Sequence, residues 1–311
     1  STGRYLALVN YNINPISSAM FITATAPNPL IVSFLTKGTD GVLNMTWGMW
    51  AIAALLPALV SLVVMPIVIW WLYPPAITRT PNAPQFARQK LDALGPLSLA
   101  EKITLAVFIL LLCLWAGVPA MLMGSAWSVN PTSAALIGLS ILLMAGVLSW
   151  DDILKCRGAW DTIVWFAALV MMADFLSKLG LVGWLATSVG SAIDHLGVHW
   201  SVATLLLILL YVYSHYFFAS TTAHITAMFA AFFAAGLGLG APPALLGLML
   251  GFSSSLMMSL THYGTGTAPI IFGSGYVTLA EWWKTGLIMS VVNLTIWGVT
   301  GAFWWHWLGY W

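Results

Sequence analysis

Nine stretches of this chain are long and apolar, most of them near the ~20 residues a helix needs to cross a bilayer. They cover 13–35, 47–73, 103–123, 132–150, 162–176, 200–218, 219–237, 241–271 and 285–307. Across all 311 residues there are only 19 formal charges, 10 basic and 9 acidic. A soluble domain covers itself with about 25% charged residues. Here the share is 6%, which leaves a surface suited to lipid. The expected fold class is therefore an all-α polytopic membrane protein with the lipid bilayer as its surround. A net charge of +1 offers no basic face for nucleic acid.

Orientation follows from where Lys and Arg fall. With residues 1–12 in the cytoplasm, the loops 74–102, 151–161 and 272–284 are also inside, and 36–46, 124–131 and 177–199 are outside. The inside segments then hold Arg4, Arg79, Arg88, Lys90, Lys102, Lys155, Arg157 and Lys284, against Lys37 and Lys178 outside. That bias is the positive-inside pattern. It holds whether 200–237 is a re-entrant hairpin or two full spans. Tryptophans gather at run ends (Trp47, Trp50, Trp70, Trp71, Trp282, Trp283, Trp304, Trp305), as interfacial belts do.

Residues 74–102 form the one long polar segment. Pro74, Pro75, Pro81 and Pro84 bar a helix through its first part, and Gln85–Leu94 suits a short interfacial helix. It reads as a cytoplasmic linker between two parts. The first, 1–73, holds an interrupted helix over 13–35 and one span. The second, 103–311, holds spans 103–123, 132–150 and 162–176, a hairpin over 200–237, an interrupted helix over 241–271 and a last span over 285–307. The chain opens on Ser1 with no signal peptide pattern, which reads as a start inside a longer protein.

The strongest motif is an internal repeat. Thr25-Ala26-Pro27-Asn28-Pro29-Leu30-Ile31 matches Thr265-Gly266-Thr267-Ala268-Pro269-Ile270-Ile271. Both lie within an apolar run, both follow a serine group (Ser17-Ser18 and Ser253-Ser254-Ser255), and the two runs cross in opposite directions. Paired broken helices of opposite direction mark inverted repeats with a binding site near the midplane. Proline removes an N–H and clashes with the preceding turn, and groups freed that way must line a wet cavity or find partners in the protein. A helix N-terminus carries roughly +0.5 charge, so it attracts an anion without a buried cation. Bending alone is the competing reading of a single proline; two matched breaks favour the site.

Ser220-Thr221-Thr222 interrupts 200–237 and would form a hairpin tip at the same depth. Hydroxyls bonded to their own backbone are the bland alternative. Asp174, His215, His224 and His262 are ionisable groups at membrane depth. Each also has a structural reading, Asp174 as a helix-end group and the histidines as hydrogen-bonded core. Their spacing makes no metal site, and Cys113 and Cys156 supply neither a disulfide framework nor one. Gly236-Leu237-Gly238-Leu239-Gly240 lacks the strand and acid of a nucleotide loop. Asp151-Asp152 with Lys155 and Arg157 reads as a solvated cluster. No enzyme constellation stands out, and nothing calls for a cofactor.

Three blocks carry a family likeness: Met20–Pro29; Phe218–His224; and Leu260–Gly266 with Phe272-Gly273-Ser274-Gly275-Tyr276. They resemble the divalent anion:sodium symporter family over essentially the whole chain, above all its bacterial citrate/succinate and tartrate/succinate antiporter branch. The resemblance implies an inverted-repeat elevator fold with broken transmembrane helices and a re-entrant hairpin, the first part of the N-terminal repeat missing. It implies small di- or tricarboxylates as partners (citrate, succinate, tartrate, malate or 2-oxoglutarate), a homodimer in the full-length protein, and a bacterial inner membrane. Substrate binding would fall to Thr25, Asn28, Ser220, Thr221, Thr222, Thr265 and Gly266. Ala24, Ala219 and Gly264 match backbone positions at the family's sodium sites. Thr221 stands where the sodium symporters carry Asn, and one hydroxyl replaces an amide that both donates and accepts. That departure favours antiport of one carboxylate for another. Sodium-coupled symport is the alternative, and an intramembrane enzyme or a non-transporting scaffold stands behind both.

Overall fold

The computed structural model describes residues 1–311, apart from the side chains at 158, 161, 162, 165, 166, 169, 170, 173, 174 and 177. Asp174 thus lies outside the described side chains. The regular structure among the described residues is helix, with no strand, in two compact units: 1–76 with 166–311, and 77–165. In chain order the helices are α1 (Thr2–Met20), α2 (Pro27–Gly38), α3 (Trp47–Leu72), α4 (Ala83–Leu94), α5 (Leu99–Trp115), α6 (Val118–Met123), α7 (Pro131–Met144) and α8 (Trp150–Lys155). There follow α9 (Arg157–Lys178), α10 (Leu181–Asp194), α11 (Trp200–Tyr213), α12 (Thr221–Gly238), α13 (Pro243–Leu256), α14 (Ala268–Phe272), α15 (Leu279–Ile296) and α16 (Ala302–Trp307). Among the described residues, Trp47–Leu72, Trp200–Phe217, Thr221–Gly238 and Leu279–Trp307 are long and apolar enough to cross a membrane.

In the larger unit both interrupted runs are broken helices. The first is α1, a short 3₁₀ turn over Ile22–Ala24, and α2. It starts at Thr2, not at Ile13 as hydropathy suggested, and residues 1–12 are helix rather than loop. The polar start is helical because its side chains bond locally: Ser1 accepts from the Arg4 amide, and Asn12 Nδ2 donates to the Leu8 carbonyl at 2.8 Å. The second is α13, a 3₁₀ turn over Met257–Ser259, and α14, whose second arm is a short helix of 5 residues.

The two breaks share their local geometry. The Asn28 amide donates to the Thr25 carbonyl at 3.3 Å, and the Ala268 amide to the Thr265 carbonyl at 3.3 Å. In each motif proline stands four residues after the threonine, where an α-helix would need an N–H. The threonine carbonyl takes the amide one residue earlier instead.

The broken helices lie against each other antiparallel. Tyr11 Oη donates to the Met258 carbonyl at 2.6 Å, while a Cβ at Gly251 would touch Ile31 and one at Gly247 would press on Leu35. Numbers rise along one chain segment as they fall along the other. Phe252 of α13 sits among Trp50, Trp297 and Trp305, with ring centroids 4.8, 4.9 and 5.7 Å away. The last helix is tied to α3 through a proline. Pro57 has no N–H to give the Ala53 carbonyl, and Trp305 Nε1 donates to that carbonyl at 2.8 Å. Arg4 pairs with Glu281 at 2.5 Å and lies over the Tyr73 ring. These three residues lie in or beside segments placed on the cytoplasmic side by charge, and they meet.

Residues 177–199, expected to be an external loop, contain α10. At 14 residues it is shorter than the ~20 a full span needs. It packs on α12. The last span also begins earlier than expected, at Leu279, where Thr278 and Glu281 form a capping box.

In the smaller unit α4 takes the place expected for the interfacial helix. It turns by 107° into α5, and none of its residues is buried. The span expected over 132–150 is α7, 14 residues long, followed by the capping box of Ser149 and Asp152. Lys155 pairs with Asp151 at 3.0 Å on an exposed surface. The Ser149 hydroxyl and amide hold the Asp152 carboxyl below its usual value.

Candidate functional site

The hairpin tip and the second break meet. Between α11 and α12 the chain leaves helical geometry at Phe218–Ser220, and the arms fold back so that Tyr211 rests on His224, Phe229 and Phe232. Ser220 caps α12 by accepting from the Ala223 amide at 3.3 Å. Thr221, buried, sends its hydroxyl across to the Gly264 carbonyl at 3.0 Å. Segments 43 residues apart in sequence are joined there, through a residue expected at the substrate and a carbonyl expected at an ion site.

Around that contact the second break shows its hydroxyls. Thr265 Oγ1 accepts from the Ala268 amide at 3.3 Å and lies 3.0 Å from Thr267 Oγ1. Gly266 and Thr267 are exposed, and Thr222 is half-buried beside Thr221. Gly264 has no room for a side chain, since a Cβ would lie 2.8 Å from both His215 Nε2 and Thr261 Oγ1. Ala219 is exposed at the tip.

The first break has different neighbours. Thr23 Oγ1 accepts from Trp47 Nε1 at 3.2 Å, and Phe21 stacks on Trp47. Asn28 is fully buried, and its Nδ2 donates to the carbonyls of Ser18 and Phe21, both at 2.9 Å. It thereby ties the two half-helices together, while its Oδ1 and the Thr25 hydroxyl oxygen are buried without a partner among the described residues. Ala24 ends the 3₁₀ turn and is exposed. Met258 lies opposite Tyr11, nine residues before the end of α1. At 1.5 Å per residue the two breaks are offset by about 14 Å along that helix. Thr25, Asn28 and Ala24 thus form one cluster, and Ser220, Thr221, Thr222, Gly264, Thr265 and Gly266 another.

The histidines support the second cluster. Ser214 gives its one proton to the Tyr211 carbonyl at 2.7 Å, so towards His224 Nε2, 3.1 Å away, it accepts. His224 Nδ1 is then the acceptor for His215 Nδ1–H, also 3.1 Å away. Both rings are fully buried, and His224 stacks on Phe218 at 4.4 Å. His215 Nε2 is left facing the Gly264 backbone. The pair is a hydrogen-bonded brace behind the tip. His262 is half-buried in the second break and accepts from Trp283 Nε1 at 3.2 Å. No group of three metal-ligating side chains occurs among the described residues.

Tyr11 escaped sequence reasoning, and Trp283 entered it only as an interfacial tryptophan, not as a partner of His262. Tyr11 is buried, lies tilted against Trp282 with ring centroids 4.5 Å apart and reaches the second break from the first broken helix. Its partner is 247 residues away, and no local signal marks the contact.

The sequence as a whole matches the family profile described as the sodium:sulfate symporter transmembrane region, over residues 1–311. YflS of Bacillus subtilis, provisionally named a malate transporter, is 48% identical over 99% of this chain and 63% of its own length. The chloroplastic dicarboxylate transporter 1 of Arabidopsis thaliana is 43% identical over 99% of this chain and 54% of its own. The dicarboxylate transporter 1 of Spinacia oleracea is 44% identical over 99% and 53%. The chain thus spans roughly half to three-fifths of the length of these relatives. With a profile match from end to end and the broken-helix architecture in place, the chain belongs to the divalent anion:sodium symporter family of membrane transporters.

Proposed function

We propose that the protein carrying this chain exchanges small dicarboxylates across a bacterial inner membrane, and that one substrate carboxylate binds where the hairpin tip meets the second break. The Thr221–Gly264 hydrogen bond carries this reading, because it joins the segment that holds Thr222 to the one that holds Thr265 and Gly266. Hydroxyls and freed amides bind an anion there without a buried Lys or Arg. The one-turn α14 adds little dipole, so the hydroxyls do most of the binding at this end. Thr25 and Asn28, in the repeat-related break, lie about 14 Å from that junction along α1, farther than a four-carbon dicarboxylate spans, so the substrate contacts proposed here are those of the second cluster. The names of the relatives, malate and dicarboxylate transporters, support this substrate class. In the elevator reading implied by the family, the unit with both broken helices carries the substrate, and the full protein works as a homodimer.

Exchange is favoured over sodium symport by Thr221. Its hydroxyl is already given to Gly264, and it brings no amide oxygen to a cation. The test is uptake of labelled succinate into proteoliposomes holding the intact gene product. Thr265→Val should abolish most uptake while the protein keeps its yield and melting temperature. Unchanged uptake by that variant would remove the second break from the substrate path.

A further inference from the structure

We propose that His262 is a further substrate-binding residue, a neutral N–H donor to the substrate carboxylate whose ring hydrogen is held on Nε2 by Trp283. The proposal rests on the dicarboxylate reading above and adds a group to it.

The argument is a proton inventory. An indole Nε1–H only donates. Trp283 Nε1 lies 3.2 Å from His262 Nδ1 with hydrogen-bonding geometry. Nδ1 is therefore the acceptor, and the neutral ring carries its hydrogen on Nε2. No described protein group takes that hydrogen. Nor is Nε2 among the side-chain nitrogens sealed off without a partner, so it keeps access to the space outside the protein. The ring's orientation is fixed on three sides. Tyr263 lies edge-on at 5.1 Å, Phe272 at 4.9 Å and Trp283 at 6.4 Å between centroids. Tyr263 is itself anchored by its hydroxyl to the Tyr216 carbonyl at 2.8 Å.

Position and chemistry agree. His262 is three residues before Thr265 in the same break and two before the Gly264 carbonyl that receives Thr221. An N–H donor held at a fixed angle, in an aromatic surround, favours an oxygen anion that accepts without donating, a class to which the carboxylate of the proposed substrate belongs. A surface histidine with two free nitrogens would exchange tautomers and lose this selectivity.

The intact gene product in proteoliposomes, taking up labelled succinate, provides the test. His262→Leu should raise KM about tenfold with the maximal rate within about twofold, the effect of one lost charge-assisted hydrogen bond. His262→Gln, which offers an N–H near the Nε2 position, should restore most of the affinity. His262→Asn, whose amide reaches only the Nδ1 position, should not. Trp283→Phe keeps an aromatic wall but frees Nδ1, and should raise KM by a smaller factor. An unchanged KM in His262→Leu, or equal KM values in the Gln and Asn variants, overturns the proposal. If His262→Leu does not fold, the Gln, Asn and Trp283→Phe comparison decides alone. Absence of succinate uptake by the wild type would instead refute the dicarboxylate reading itself.

Discussion

Thr221→Val is the sharpest single perturbation of the assembled site. The two side chains have nearly the same shape, so packing around this buried position is kept and one hydroxyl is lost. That hydroxyl serves the Gly264 carbonyl at 3.0 Å. Leaving a buried acceptor unsatisfied costs about 1–3 kcal/mol. If binding must restore the joined arrangement of tip and break, that cost appears in substrate affinity. At about 1.4 kcal/mol per tenfold, it corresponds to a rise in KM of roughly 5- to 150-fold. Thr221→Ser retains the hydroxyl and should stay within a few-fold of wild type. The assay is concentration-dependent uptake of labelled succinate in proteoliposomes, with the melting temperature of the detergent-solubilised protein alongside. A Val variant that folds normally and keeps the wild-type KM would show that the joint between hairpin and break plays no part in binding.

Other expectations follow from the same geometry. Thr222→Cys should react with a thiol reagent, and saturating dicarboxylate should slow that reaction; equal labelling with and without substrate would place Thr222 outside the site. Tyr11→Phe removes the donor to the Met258 carbonyl but keeps the ring contact with Trp282, so it should lower stability by about 1–3 kcal/mol, read as a drop in melting temperature. At Gly286 a Cβ would meet the carbonyl oxygens of Ser259 and Leu260, which are backbone and cannot swing away. Gly286→Ala should therefore cost about 1–3 kcal/mol or reduce the yield of folded protein. Thr221→Asn should leave uptake independent of sodium, measured by replacing sodium with choline.

Much of this fold was legible because its signals are local. The two threonine–proline motifs announced both breaks, and the same threonine-to-amide turn appears in each. The lack of charge required helices in lipid, and the meeting of Arg4, Glu281 and Tyr73 agrees with the side assigned to their segments by Lys and Arg. Element bounds were less legible. Hydropathy ended the first broken helix at Ile13, because Asn10, Asn12 and Asn14 look like loop residues. In fact Asn12 satisfies itself on its own turn and Tyr11 is buried. The short α10 lay below the length expected of a span. The starts of α5 and α15 are set instead by capping boxes at Ser98–Glu101 and Thr278–Glu281, Ser/Thr-x-x-Glu patterns that hydropathy does not weigh.

For the site, residue types were readable and partnerships were not. Ser220-Thr221-Thr222 and Thr265-Gly266 stood out as hydroxyl-rich breaks. That Thr221 binds Gly264, that His215 braces His224, and that Trp283 sets the His262 ring all depend on contacts between distant segments. Asn28 is a case in between. The family resemblance assigned it to substrate binding, yet its amide nitrogen closes the helix break, which only coordinates reveal.

Counterflow tests the central account most directly. Proteoliposomes containing the intact gene product are loaded with unlabelled succinate or left empty, and labelled succinate is added outside without sodium. The account predicts rapid uptake into loaded vesicles and little into empty ones. Uptake that ignores the internal acid and appears only with sodium would contradict exchange, and no uptake under either condition would contradict dicarboxylate transport altogether.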